Sequence, residues 1–221
     1  MTERKEEKSP SFYTWHEELM NFATHGVATG LSIVGTAVLL VLAFLYGTVW
    51  HIIGFSVYGI SLISLYLAST LYHGSRQPRM KRILRVLDHA AVYLLIAGTY
   101  TPFVLISVRT WLGWLLLGVV WGLAILGVVY KIVMIHKFER LSTAVYVLMG
   151  WMGVVAFREA LAALPTYVLV WIAAGGVFYT IGVIFYAWRR LPYNHAIWHL
   201  FVVAGSVCHY VAVLGYMWQL V

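Results

Sequence analysis

Residues 30–46 read Gly30-Leu-Ser-Ile-Val-Gly-Thr-Ala-Val-Leu-Leu-Val-Leu-Ala-Phe-Leu-Tyr46, inside a longer run from Leu19 to Gly74 that contains no Asp, Glu, Lys or Arg. A helix needs about 20 apolar residues to cross a bilayer, so this run holds two spans. Further uncharged stretches cover His89–Val108, Thr110–Tyr130, Leu141–Phe157, Ala160–Trp188 and Leu191–Val221. The expected fold is therefore all-α: a polytopic membrane protein, a seven-transmembrane helix bundle. Its spans fall near Phe22–Tyr46, Trp50–His73, Leu84–Ser107, Trp111–Lys131, Leu141–Phe157, Pro165–Trp188 and Asn194–Leu220. Continuous apolar runs exclude a transmembrane β-barrel, whose strands alternate over about 10 residues.

Composition agrees: 62% of the 221 residues are hydrophobic and 10% charged, and the mean hydropathy is +0.84. The net charge of +7 reflects topology and not nucleic-acid binding. Thirteen of the fifteen Lys and Arg residues fall in the N-terminal tail and the loops after spans 2, 4 and 6, leaving Arg109 and Arg158 for the other side. The positive-inside rule then puts the N-terminus in the cytoplasm and the C-terminus outside. Trp50, Trp111, Trp114, Trp188 and Trp218 fall at expected span ends, where interfacial tryptophans sit. No cleavable signal peptide is expected. Residues 1–10 read as a disordered cytoplasmic tail, and 11–221 as one seven-helix domain with a short interfacial helix at 11–21. Pro102 should kink the third span. Gly118 and Gly122 have the GxxxG spacing that permits close helix contact. Spans 4 to 6 have no ionisable residue in their interiors and read as scaffold.

The ionisable and polar residues of the other spans carry the chemistry. His195 and His199 stand four apart at the start of the last span, on one helix face. Ser69 and His73 have the same spacing at the end of span 2, Asp88 opens span 3, and Glu18, Asn21 and His25 share a face at the start of span 1. In the expected topology all of these fall in the cytoplasmic leaflet. His51 and His209 fall elsewhere in depth and stand outside the set. Cys208 is the only cysteine, so any metal must be held by His, Asp or Glu. Three neutral imidazoles plus a water form the usual open zinc site, and His73, His195 and His199 are the three chosen. Asp88 is placed to bind the water on such a metal or to orient a histidine; Ser69 could hydrogen-bond that water or a substrate carbonyl. Each residue alone has an ordinary reading: His73 as an interfacial anchor, Asp88 paired with Arg82 or Arg85, Ser69 bonded to its own helix. Their convergence at one depth favours the site.

The pattern Glu18-x-x-Asn21-x-x-x-His25, Ser69-x-x-x-His73 followed by Asp88, and His195-x-x-x-His199 resembles the three signature motifs of the hemolysin III family. That family is the bacterial branch of the progestin and adiponectin receptor superfamily. The resemblance covers nearly the whole chain. It implies Zn2+ at His73, His195 and His199 near the cytoplasmic face, water contacts at Asp88 and Ser69, and a supporting role for Glu18, Asn21 and His25. Because the wider superfamily includes ceramidases, it also implies a zinc-dependent intramembrane hydrolase of a lipid amide or ester, with a membrane lipid as substrate or ligand. The rival expectations are a non-enzymatic membrane sensor with a structural zinc, a cytolytic protein, which the permanently apolar, oriented spans oppose, and a transporter, which the lack of interrupted paired helices in the sequence opposes. The plasma membrane is the expected location. A homo-oligomer is compatible with the sequence, and no nucleic-acid partner is expected.

Overall fold

The computed structural model describes residues 13–134, 139–215 and 217; the tail expected over 1–10 and the interfacial Trp218 lie outside them. Every regular element among the described residues is helical. The order is α1 (Trp15–Tyr46), α2 (Val49–Gly74), α3 (Pro78–Ile106), α4 (Trp111–Met134), α5 (Glu139–Trp151), a 3-10 turn (Met152–Ala156), α6 (Phe157–Ala163), α7 (Thr166–Ala187) and α8 (Asn194–Leu214). Seven segments are long and apolar enough to cross a membrane, the fifth being Leu141–Ala163, built from α5, the 3-10 turn and α6.

The side-chain distribution of α1 explains what solvent this fold is made for. Its buried face is Glu18, Asn21, His25, Ala28, Ser32, Thr36, Leu39 and Ala43, polar or small over most of its length. Its outward face carries Val27, Leu31, Val34, Phe44 and Leu45, all more than 60% exposed. A water-soluble helix has the opposite arrangement. Here lipid surrounds the bundle, and small inward residues let backbones approach. Gly59 on α2 is such a point, because a Cβ there would collide with Thr36 of α1.

Consecutive spans pack against one another and α8 returns to α1, closing a ring, with α3 reaching α8 across it. The principal apolar core lies among α1, α2, α3, α7 and α8, around Phe55, Tyr58, Leu65 and Val213. A second cluster joins α3, α4 and the fifth span around Tyr93, Val120 and Met149.

Several expectations are revised in detail. Trp15–Asn21 is continuous with span 1, forming the first turns of the 32-residue α1, where a separate interfacial helix over 11–21 was the sequence expectation; the Thr14–Glu17 capping box starts the helix at once. Gly118 and Gly122 face open space, and the close approach on α4 is made by Gly127 against Tyr93. Lys131 is buried within α4 and does not lie in a loop. The fifth span is interrupted, and Tyr100 of α3 satisfies the backbone that the break frees. Its hydroxyl lies 2.9 Å from Met149 O and 2.8 Å from Gly150 O, and accepts from Gly153 N at 2.9 Å.

Candidate metal centre and cavity

Two local structures place the histidines of α8. Tyr193, just before the helix, adopts φ 56°, a left-handed conformation uncommon for a bulky residue. Its N–H donates to Glu17 Oε1 at 3.1 Å, joining the start of α8 to the start of α1. Asn194 Nδ2 then donates to Phe185 O and Tyr186 O at 3.3 and 3.2 Å, capping the last carbonyls of α7. The first turn of α8 is thus held from both sides, and His195 and His199 point into the ring.

His73 arrives from the last turn of α2. One ligand nitrogen from each of His73, His195 and His199 lies within 4.8 Å of the others, and all three residues are buried. Glu18 Oε2 is 2.6 Å from His73 Nδ1, and Lys81 of α3 donates to Glu18 Oε1 at 2.7 Å. The carboxylate accepts the Nδ1 proton, which leaves the Nε2 lone pair for the cluster. His199 is set similarly by Thr24. The Thr24 hydroxyl donates to Met20 O or Asn21 O, at 2.9 and 3.0 Å, so its oxygen accepts from His199 Nδ1 at 3.2 Å. Nε2 of His199 is then the lone-pair nitrogen. Tyr13 stacks over His195 with ring centroids 5.0 Å apart and covers the cluster from the helix-end side; burial raises its phenol above the ordinary tyrosine range.

The unsatisfied atoms test whether a metal fits. His73 Nε2 and both ring nitrogens of His195 are buried without a hydrogen-bond partner. Orphaned buried polar atoms cost about 1–3 kcal/mol each, and a cation bound by lone pairs removes that cost. A tetrahedral zinc site with metal–nitrogen distances of about 2.0–2.1 Å is of the right scale for this cluster. The residues fit a metal ion.

Glu18, Asn21 and His25 do stand on one buried face of α1. His25 stacks on His199, centroids 3.5 Å apart and 11° from parallel, with both nitrogens unpartnered, as are both side-chain polar atoms of Asn21. Ser69 is 1% exposed, and its hydroxyl faces the Asp88 carboxylate. Asp88 has His73, Ser69 and Arg85 as electrostatic neighbours and lines the same cavity as His195 and His199. His51 is occupied locally, its Nδ1 accepting from Thr48 N at 3.1 Å. His209 bonds Ile172 O at 3.1 Å and stands apart from the cluster.

A cavity of about 350 Å³ leads away from the histidines. Ser69, Asp88, His195 and His199 line one end, and the wall beyond is almost wholly apolar, with Phe103, Val108 and Leu164 among its residues. Spans 4 to 6 supply much of that wall, so they shape the site as well as supporting the bundle. Sequence reasoning missed Thr24, Lys81, Tyr13 and the burial of Lys131. Thr24 shares a face with Asn21 at i, i+3, and four apolar residues follow Lys131; both were available signals. Nothing in the sequence distinguishes Lys81 from its neighbouring loop cations.

A closed ring of apolar helices around a buried three-histidine cluster and an apolar cavity defines a multi-pass membrane protein with a metal-competent centre. The sequence profile of the family described as "Haemolysin-III related" matches residues 13–210, and the chain belongs to that family. It is similar to Hemolysin-3 of Bacillus cereus, 45% identical over 201 residues, covering 91% of this chain and 92% of that protein. It is also similar to the Hemolysin-3 homolog of Bacillus subtilis, 43% identical over 204 residues, 92% of this chain and 96% of that protein. A more distant relative is the human monocyte to macrophage differentiation factor, 28% identical over 215 residues, 93% of this chain and 87% of that protein. No solved structure matches the chain.

Proposed function

We propose that this protein is a zinc-dependent intramembrane hydrolase of a lipid amide or ester, seated in the plasma membrane with its metal centre toward the cytoplasm. The observation that carries the reading is the junction of the three-histidine cluster with the apolar cavity, which has Asp88 and Ser69 on its wall at that junction. A purely structural metal needs no such space beside it. Zinc held by His73, His195 and His199 would supply Lewis acidity toward water and toward a carbonyl oxygen. The Asp88 carboxylate takes the proton of the attacking water and returns it to the leaving amine or alcohol as the acyl C–N or C–O bond breaks. The Ser69 hydroxyl donates to the oxygen on which negative charge develops. Glu18 and Thr24 orient the ligands, and Tyr13 limits water entry.

A second reading, a non-enzymatic sensor with a structural zinc, is favoured by the Glu18–Lys81–His73 and Thr24–His199 contacts, which tie α1, α2, α3 and α8 together. The cytolytic reading suggested by the relatives' names has no such support. The deciding experiment is metal analysis and hydrolysis by protein in lipid nanodiscs, offered ceramide, acyl-amide and phospholipid substrates. Turnover that disappears in Asp88→Asn with metal retained supports the hydrolase. No turnover of any substrate by metal-loaded protein, beside an active reference enzyme, sinks it.

A further inference from the structure

His209 lines the same cavity as His195 and His199, but it stands about 15 Å beyond His199 along α8. Tyr179 of α7 lines that cavity too, and the two side chains are seated by matching notches. A Cβ at Gly175, one turn before Tyr179, would collide with the His209 ring, and a Cβ at Gly205, one turn before His209, would collide with the Tyr179 ring. Each ring thus lies where the facing helix has a glycine, and the ring centroids are 5.5 Å apart. An ionisable residue inside a membrane bundle is costly and marks a ligand path or a partner.

Both groups keep hydrogen-bonding capacity. His209 Nε2 donates to Ile172 O at 3.1 Å, so Nδ1 holds a lone pair, and no described residue donates to it. Tyr66 of α2 donates to Ser206 Oγ at 2.7 Å, and Ser206 Oγ is also 2.7 Å from the Tyr179 hydroxyl. If Tyr179 were the donor in that second bond, the proton of Ser206, a residue only 5% exposed, would be stranded, and a buried unpaired donor is unfavourable. The favoured order runs from Tyr66 to Ser206 to Tyr179, each hydroxyl donating to the next. Its free end is the Tyr179 O–H. One level of an otherwise apolar wall therefore carries one free donor and one free acceptor.

A hydroxyl both accepts and donates, whereas a carbonyl only accepts and a methylene does neither. We propose that Tyr179 and His209 form a hydroxyl-binding station in the cavity wall, and that the lipid taken by the cavity carries a hydroxyl on its chain, far from the end that meets the histidines. The Tyr179 O–H donates to the ligand oxygen, and the ligand O–H donates to His209 Nδ1. The inference rests on reading the cavity as a lipid site. It narrows the ligand from any long-chain lipid to one with a hydroxylated chain.

The test measures binding of hexadecanoate, and of hexadecanoates hydroxylated at successive chain positions, to metal-loaded protein in nanodiscs of zwitterionic lipid. Affinity should peak about tenfold above plain hexadecanoate at one position in the distal half of the chain. The oxo acid with its oxygen at that position should fall between the two, because it can only accept from Tyr179. Tyr179→Phe should remove the peak while plain hexadecanoate binds as before, and His209→Phe should make the hydroxy and oxo acids bind alike. A flat profile overturns the proposal, as does a distal peak that survives in Tyr179→Phe. A peak only beside the carboxylate, where chelation of the metal would give it, overturns it too. If Tyr179→Phe does not fold, His209→Phe decides: equal binding of the hydroxy and oxo acids supports the station and an unchanged preference overturns it. A distal peak without hydrolysis of any substrate leaves the station standing while removing the hydrolase; turnover beside a flat binding profile does the reverse.

Discussion

Glu18 Oε2 lies 2.6 Å from His73 Nδ1, while the other oxygen of the same carboxylate is 2.7 Å from Lys81 Nζ. One acid at the start of α1 therefore fixes the tautomer of a histidine at the end of α2 and holds the first turns of α3. Carboxylates in this position typically govern metal affinity by about 10–100-fold. Glu18→Gln should weaken zinc binding by that order, read by competition with a chelating dye. Lys81→Met, which leaves the His73 contact intact, should weaken it less.

Under the proposed function, His73, His195 and His199 are the ligands and His25 is a neighbour. His73→Ala, His195→Ala and His199→Ala should each lose stoichiometric zinc on elemental analysis. His25→Phe should retain it, because His25 offers a stacking ring to His199 and lies outside the three-nitrogen cluster. Retention of zinc by any of the three alanine variants would remove that residue from the ligand set.

Chelation of wild-type protein should lower its unfolding temperature, since a ligand bound only by the folded state stabilises by mass action. The same treatment of His195→Ala should shift it little. Equal shifts in both proteins would place the stabilising metal elsewhere.

Asp88→Asn should retain zinc and fold, yet lose about 10²–10⁴ in kcat if the proposed proton transfer is correct. Ser69→Ala should lose less, again in kcat more than in KM, because its hydroxyl acts on charge that develops during the reaction. Loss confined to KM in both variants would make them binding residues.

Tyr100→Phe tests the interrupted span. The substitution removes the hydroxyl bonded to Met149 O, Gly150 O and Gly153 N, with an expected cost of about 1–3 kcal/mol. Denaturant midpoints in detergent should fall while zinc content is unchanged. An unchanged midpoint would show that lipid or water satisfies the break equally well.

Much of this architecture is legible in the sequence because a bilayer imposes a one-dimensional rule. Uncharged runs must be about 20 residues long per span and their backbone must bond internally, so seven spans follow from six uncharged stretches, the first long enough for two. The three-histidine cluster is legible for a related reason. Ionisable residues are so costly among apolar ones that Ser69, His73, Asp88, His195 and His199 stand out, and i, i+4 spacing keeps each pair on one face. The failures have a common cause as well. Gly118 and Gly122 match a contact spacing, but spacing does not say which face of α4 meets a neighbour. Lys131 ends an uncharged run, and charge alone does not say whether its side chain turns toward water or into the ring.

The sequence by itself determined that the chain is an all-helical bundle with seven segments apolar enough to cross a membrane, and which histidines are spaced to share a ligand. Only the tertiary structure decided that nitrogens from α2 and α8 meet within 4.8 Å, that Glu18 and Thr24 set their tautomers, and that a cavity with a buried lysine opens beside them. Apolar length and helical period are properties of neighbouring residues along the chain. Which faces of distant helices point at one another depends on how close their small residues let them pack and how each helix is rotated, and no single segment encodes that.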